Sequence, residues 1–284
     1  MKTKPKMGWI PDLPDIRDFT HTHKDVQRVM LSGAGIKGPP APPATVDLEQ
    51  WCSPIEDQST IGSCGGNAGA GLIEYYERRA FSAYIDVSRL FLYKVARNLD
   101  GDVGDTGTQL RTIMKVIAMF GAPPEENWPY NVSKYDEEPS AMLYAMASNY
   151  KASTYFRLDP HGSSPQVALQ NVKSHLAQAL PCIFGFTVYS SMPGCGAADD
   201  GTGNIPMPKQ GDSVQGGHAV MAVGYDDNRK IGSSVGALKI RNSWGADIGD
   251  HGYFYMPYDY VLRGIADDFW TLVKADFIDT RLFA

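Results

Sequence analysis

Apolar positions downstream of residue 63 recur at a helical period. Ala68, Leu72, Tyr75 and Tyr76 share one face, which predicts a helix from Cys64 to about Arg79. Ser88 reads as the N-cap of a second helix through Arg97, with Leu90, Phe91 and Val95 as its inner face. Leu110, Ile113, Met114, Ile117 and Ala118 form an i, i+3, i+4, i+7, i+8 stripe, and Gly121 with Pro123 and Pro124 ends that third helix. A shorter fourth is expected from about Pro139 to Asn149. A fifth starts at Ser164-Pro165, serine as cap and proline in the first turn, and ends at Leu180-Pro181.

Beyond Pro181 the period changes. Short apolar runs bounded by glycine or aspartate cover 182–189, 218–225, 237–241, 253–256 and 269–274, and they predict strands of a buried antiparallel sheet. Helices first and strands second give an α+β chain with two segregated lobes. Residues 190–217 form a long loop rich in glycine, proline and aspartate, a length usually tied to function or disorder. The acidic, glycine-rich loop 100–107 has a faint calcium-loop spacing without the closing glutamate, so no metal is expected.

Residues 1–44 stand apart. Trp9-Ile10-Pro11-Asp12-Leu13-Pro14-Asp15 mixes apolar anchors, prolines and acids without helical period, which suits an extended strand lying in a groove better than an independent core. Gly38-Pro39-Pro40-Ala41-Pro42-Pro43 reads as a semi-rigid linker.

The chain has 284 residues, 43% of them hydrophobic and 20% charged, an ordinary globular composition. A net charge of −6 without basic clusters gives no reason to expect nucleic acid or an anionic membrane as partner. No run approaches the roughly 18 apolar residues of a membrane helix. The basic start lacks an apolar core, so no secretory signal is expected in this chain. A soluble monomer is expected, its compartment left open between the cytoplasm and export by another route. Four cysteines do not describe a disulfide scaffold. Cys182 reads as a buried thiol, and Cys52 with Cys195 is the likelier pair if any pair forms.

The candidate chemistry starts at Gln58-Ser59-Thr60-Ile61-Gly62-Ser63-Cys64. A thiolate at a helix start is favoured by the helix N-terminus. It also needs a base, a group to orient that base, and donors for an oxyanion. His218, among small neighbours in Gly216-Gly217-His218-Ala219, opens one strand, and Asn242 closes the next. If those strands pair, Asn242 fixes the imidazole tautomer and Trp244 shields their hydrogen bond from water.

Taken together, the blocks Gln58 to Cys64, Gly217-His218-Ala219 and Arg241-Asn242-Ser243-Trp244-Gly245 resemble the papain-like cysteine peptidases. His218 follows Cys64 by 154 positions and Asn242 by 178, close to that family's spacing. Glu126-Asn127-Trp128-Pro129-Tyr130 is similar to the family's Tyr-Pro-Tyr turn. The resemblance implies a two-lobed fold over residues 45–284, with a helical lobe over about 54–150, an antiparallel β-barrel-like lobe over about 151–284, and an active-site cleft between them. It implies Cys64 as nucleophile, His218 as its imidazolium partner and proton donor, Asn242 as orienting residue, and Gln58 with the Cys64 N–H as oxyanion hole. Gly107, within one residue, would pair with extended substrate backbone, Ala219 would line the second specificity pocket, and Trp244 completes the expected substrate-side set.

Three departures stand out. Gly65 replaces the usual tryptophan, which implies a more open cleft floor. Ile61 replaces a usual disulfide cysteine. Residues 1–44 are far shorter than the common eukaryotic pro-segment and look like bacterial members with short ones. An extended chain advances about 3.3 Å per residue, so half the segment suffices to reach the cleft. The expected activity is cofactor-free peptide hydrolysis through an acyl-enzyme on Cys64, acting on peptide or protein substrates and restrained by the N-terminal pro-segment. Acyl transfer to amines, or a silent peptide-binding relative, are the alternatives.

Overall fold

The computed structural model describes residues 5–20, 23, 24, 26 and 42–275. The linker expected over 38–43 therefore lies outside the described residues, apart from Pro42 and Pro43. Six helices are described: α1 (Cys64–Phe81), α2 (Arg89–Asp100), α3 (Leu110–Met119), α4 (Ala141–Ala147), α5 (Pro165–Ala177) and the short α6 (Asp259–Leu262). The serine caps act as predicted. Ser88, Ser140 and Ser164 each accept from the backbone N–H three residues on, satisfying donors that the first helical turn leaves unpaired.

α1 is the central element, packed on α2, α3 and the sheet. It carries four glycines in its first eight residues, costing about 1 kcal/mol each in helix propensity relative to alanine. Close approach explains the choice. A Cβ on Gly65 would lie 2.6 Å from the Thr108 hydroxyl, and one on Gly71 would lie 2.4 Å from the Arg241 guanidinium. Gly65 therefore does not open the cleft floor as expected, because Thr108 and Ile113 fill the space.

Among the described residues there are seven strands: β1 (Thr45–Asp47), β2 (Ala152–Arg157), β3 (Cys182–Tyr189), β4 (Val214–Ile231), β5 (Ser234–Arg241), β6 (Tyr253–Pro257) and β7 (Ala266–Ala275). They form one antiparallel sheet in the order β2-β7-β3-β4-β5-β6, with β1 on β4. The papain-like α+β character holds, but the sheet is not closed into a barrel. Its two outer strands are covered by other chain segments instead of by each other. Arg157 on β2 donates its backbone N–H to Phe19, and Tyr255 on β6 exchanges backbone bonds with Gly203 and Ile205. Such covering removes unpaired edges as closure would. The long loop is packed: Met192, Cys195 and Ile205 are buried. All four cysteines are buried and none forms a disulfide, so Cys52 and Cys195 do not pair.

Candidate active site

Cys64 is the first residue of α1, behind the N-cap Ser63. The Ser63 hydroxyl shares a 2.5 Å hydrogen bond with the Tyr130 hydroxyl and accepts from Asn67 Nδ2 at 3.1 Å. The turn similar to Tyr-Pro-Tyr thus braces the loop before Cys64, and Tyr130 also donates to the Gln58 carbonyl at 2.7 Å. Cys64 is fully buried. Burial pushes its thiol up to about 11, against the backbone N–H groups of Ala219, Gly8, Gly65 and Cys64 itself. The Ala219 N–H places the sulfur beside the residue that follows His218 on β4.

His218 is also fully buried. Its Nε2 lies 2.7 Å from Asn242 Oδ1. That oxygen can only accept, so Nε2 carries the ring proton and Nδ1 keeps a lone pair. Nδ1 has no hydrogen-bond partner among the described residues. This is the tautomer a thiol requires of a base. Burial pulls the imidazole down to about 4, opposed by the Asn242 hydrogen bond. Trp244 stacks on the ring with centroids 4.6 Å apart and is itself buried, the shielding position expected of it. The Asn242 N–H is tied to Gly252 O at 3.1 Å, which holds its side chain toward the imidazole.

Gln58 is buried, and its amide is fixed at both ends. Oε1 accepts from the Ser243 hydroxyl at 2.8 Å, while Nε2 donates to Ile61 O at 3.1 Å and to Lys6 O at 2.9 Å. The N-terminal segment continues from there. The Gly8 and Trp9 N–H groups donate to Gly217 O at 3.0 and 2.9 Å, Thr108 N–H donates to Gly8 O at 2.8 Å, and Ile10 N–H donates to Thr108 O at 3.1 Å. Backbone pairing thus falls on Thr108, one residue beyond the expected Gly107. Gly107 permits the approach, since a Cβ there would lie 2.3 Å from Gly8 O. Only glycine fits at position 8, where a Cβ would meet Gly62 O at 1.9 Å.

Trp9 fills a pocket in the β3–β4 surface. A Cβ on Gly185 would lie 1.9 Å from its ring, and one on Gly217 would lie 2.8 Å from it. Gly185 is the register partner of Ala219, so the pocket adjoins the residue expected to line it. Its floor is Asp268, which accepts the indole N–H at 3.1 Å. Asp268 occupies a bulge in β7 with φ +65°, held by its own N–H on Asp159 at 2.7 Å. Further along, Arg111 binds Asp12 at 3.2 Å and Asp18 at 2.7 Å, clamping the segment to α3.

The structure brings Cys64, His218, Asn242, Gln58, Gly107, Ala219 and Trp244 into one region. The sequence reading missed Trp9, Lys6, Asp105, Asp268 and Arg111. The apolar-acidic run at 9–15 signalled an extended segment, but nothing in it named a pocket 259 positions away.

A family model described as papain family cysteine protease matches residues 42–271. An uncharacterized peptidase C1-like protein of Acanthamoeba polyphaga mimivirus is 34% identical, over 93% of this chain and 86% of that one. The thiol protease aleurain of Arabidopsis thaliana is 27% identical over 75% of this chain and 55% of its own. The crystal structure of xylellain, a cysteine protease from Xylella fastidiosa, superimposes with a TM-score of 0.76 at 35% identity, covering 96% of this chain and 97% of that one.

Proposed function

The chain belongs to the papain family of cysteine proteases, and we propose that it is an endopeptidase held silent by its own N-terminal segment. In the working state the Cys64 thiolate attacks the scissile carbonyl carbon. The oxygen, now negative, takes hydrogen bonds from Gln58 Nε2 and the Cys64 N–H. His218, turned imidazolium, gives its proton to the leaving amine, and water then releases the acyl group with His218 as base. Asn242 keeps Nε2 protonated throughout, and Trp244 keeps water from that bond.

The observation that carries the restraint is the Lys6 carbonyl on Gln58 Nε2, the donor assigned to the oxyanion. Gly8 backbone lies against the Cys64 thiol and Trp9 fills the pocket beside Ala219. A substrate presents to Gln58 the carbonyl of the residue that follows the one in the second pocket. Here Lys6 precedes Trp9, so the segment runs the opposite way and offers no correctly directed scissile bond. The same covering explains why thiol and imidazole are both neutral: excluding water from Cys64 and His218 penalises their charged forms. Release of the segment readmits water and favours the thiolate–imidazolium pair.

Replacement of Cys64 by alanine in a chain whose segment is unseated by Trp9→Ala tests the assignment. Peptide hydrolysis is expected to vanish while the melting temperature stays within a few degrees; retained hydrolysis would sink it.

A further inference from the structure

One hydroxyl joins the two stretches of chain that carry the oxyanion donors. Tyr130 donates to the Gln58 carbonyl at 2.7 Å. A carbonyl only accepts, so the single phenolic proton is engaged there and the serine donates in the 2.5 Å contact with Ser63. The Ser63 oxygen in turn accepts from Asn67 Nδ2 at 3.1 Å, and Asn67 Oδ1 accepts from Arg89 at 3.3 Å. The protons of this chain of bonds therefore all point toward Gln58. The ring is held as well: Arg89 lies 4.2 Å from its centroid and is itself fixed by Glu56 at 2.7 Å and Glu125 at 2.9 Å. Burial pushes the Tyr130 hydroxyl up to about 12, against Ser63, Arg89 and Asn67, so it keeps the proton it donates. Ser63 gives up an ordinary task for this bond. Ser88, Ser140 and Ser164 each cap a helix by accepting from a backbone N–H, whereas the Ser63 side chain makes no such bond at the start of α1.

We propose that Tyr130 is a positioning residue for the oxyanion hole: its hydroxyl fixes the distance between Gln58 Nε2 and the Cys64 N–H. The inference rests on the peptidase reading above, which assigns those two donors. Ser63 immediately precedes Cys64, and the peptide unit they share carries the Cys64 N–H. Residues 59–62 form turns and bends and no helix or strand, so the covalent path leaves the distance between the donors loose. Asp105 accepts the Gly62 N–H at 2.8 Å, Ile61 O accepts from Gln58 Nε2 at 3.1 Å, and Ser243 aims the Gln58 amide at 2.8 Å. None of these contacts includes Ser63, whereas the Tyr130 hydroxyl spans the gap directly. An oxyanion needs both donors at about 2.7–3.1 Å at once. Their separation is therefore a requirement of the transition state and not of substrate binding.

The test uses the full-length chain with Trp9→Ala, to which Tyr130→Phe is added. The phenyl ring keeps its place beside Arg89, and only the hydroxyl is removed. For a peptide anilide, kcat is expected to fall about tenfold with KM unchanged. That is less than the loss of a donor outright, because Gln58 is displaced and not removed. Acylation and deacylation both place charge on a carbonyl oxygen in this hole, so kcat reports it whichever step limits. Alkylation of Cys64 by iodoacetamide displaces iodide at carbon and forms no oxyanion, so its rate and pH profile are expected to match those of the Trp9→Ala chain. In a Gln58→Ala background, Tyr130→Phe should change kcat by less than about twofold, since the donor it positions is gone. Ser63→Ala cuts the bridge from the other end; it should reproduce the pattern, and it replaces Tyr130→Phe if that variant does not fold. An unchanged kcat, a loss confined to KM, alkylation slowed by the same factor as kcat, or a tenfold loss that persists without Gln58 would overturn the assignment. If the Trp9→Ala chain is alkylated at Cys64 yet hydrolyses no peptide, the peptidase reading fails, and this inference with it.

Discussion

Replacing Trp9 by alanine should unlock the full-length chain. The indole is 8% exposed and fills the space above Gly185. A buried tryptophan removes about 150–250 Å² from water, and replacing one by alanine typically costs about 3–5 kcal/mol. The hydrogen bond to Asp268 is lost as well, but Asp268 keeps the Trp270 indole N–H at 2.8 Å and Arg157 at 3.1 Å, so no buried charge is orphaned. The whole loss falls on the seated state of the segment, because Trp9 lies on the segment and not in the helical or strand framework. At about 1.4 kcal/mol per decade, the open population should rise by about two to three and a half decades, until it saturates. The assay is hydrolysis of a fluorogenic peptide by uncleaved chain, checked by intact mass. Gly185→Ala attacks the same contact from the other side, because its methyl cannot coexist with the ring. The two substitutions should not add, since either alone empties the pocket. If both variants hydrolyse peptide within twofold of the wild-type rate, the segment is not the restraint.

Two further outcomes follow from the same geometry. In the Trp9→Ala background, Gln58→Ala should lower kcat by about 10²–10³ with little change in KM, the effect of removing one oxyanion donor; a change confined to KM would remove Gln58 from that role. The clamp should respond to pH through Asp12. Burial first, then the charge and hydrogen bond of Asp268, push its carboxyl up to about 8, against Arg111. A carboxyl raised on seating favours the seated state most below its free value near 3.8, and that advantage is lost as pH rises through about 8. Asp18 on the segment and Asp159, Asp267, Asp268, Arg111 and Arg157 around it are common to both chains. The ratio of wild-type to Asp12→Asn Cys64 labelling rates should therefore climb between pH 4 and pH 8, and a flat ratio would refute the clamp's pH dependence.

Much of the fold was legible because its signals are local. Serine caps, helical stripes and stop signals placed α1, α2, α3 and α5, each within three residues of its observed start. β3 matches its predicted bounds throughout. Where prediction fell short, long-range pairing overrode local character. The polar run Asp226-Asp227-Asn228-Arg229-Lys230 reads as loop, yet β4 continues through it because β5 pairs back along it. β2 went unread because, among its described side chains, Ala152 and Phe156 alone are buried, too few to make an alternating pattern. The predicted open floor at Gly65 failed for a related reason: Thr108, 43 positions away, supplies the missing bulk.

The sequence by itself carried the proposed chemistry. The candidate nucleophile Cys64 and, in the roles proposed for them, His218, Asn242 and Gln58 admit few substitutes, so their residue types and spacing are conspicuous even without coordinates. Tertiary structure alone decided what occupies the cleft and how the second pocket is floored. The segment is held by Gly217 O, Thr108 N–H and O, and the glutamine amide, and main-chain donors and acceptors are the same at every residue. Asp268 reaches the pocket only because a bulge turns it there. Backbone recognition marks the sequence only through glycines that permit close approach, such as Gly8 and Gly107, and a fold must bring the paired segments together before their purpose can be seen.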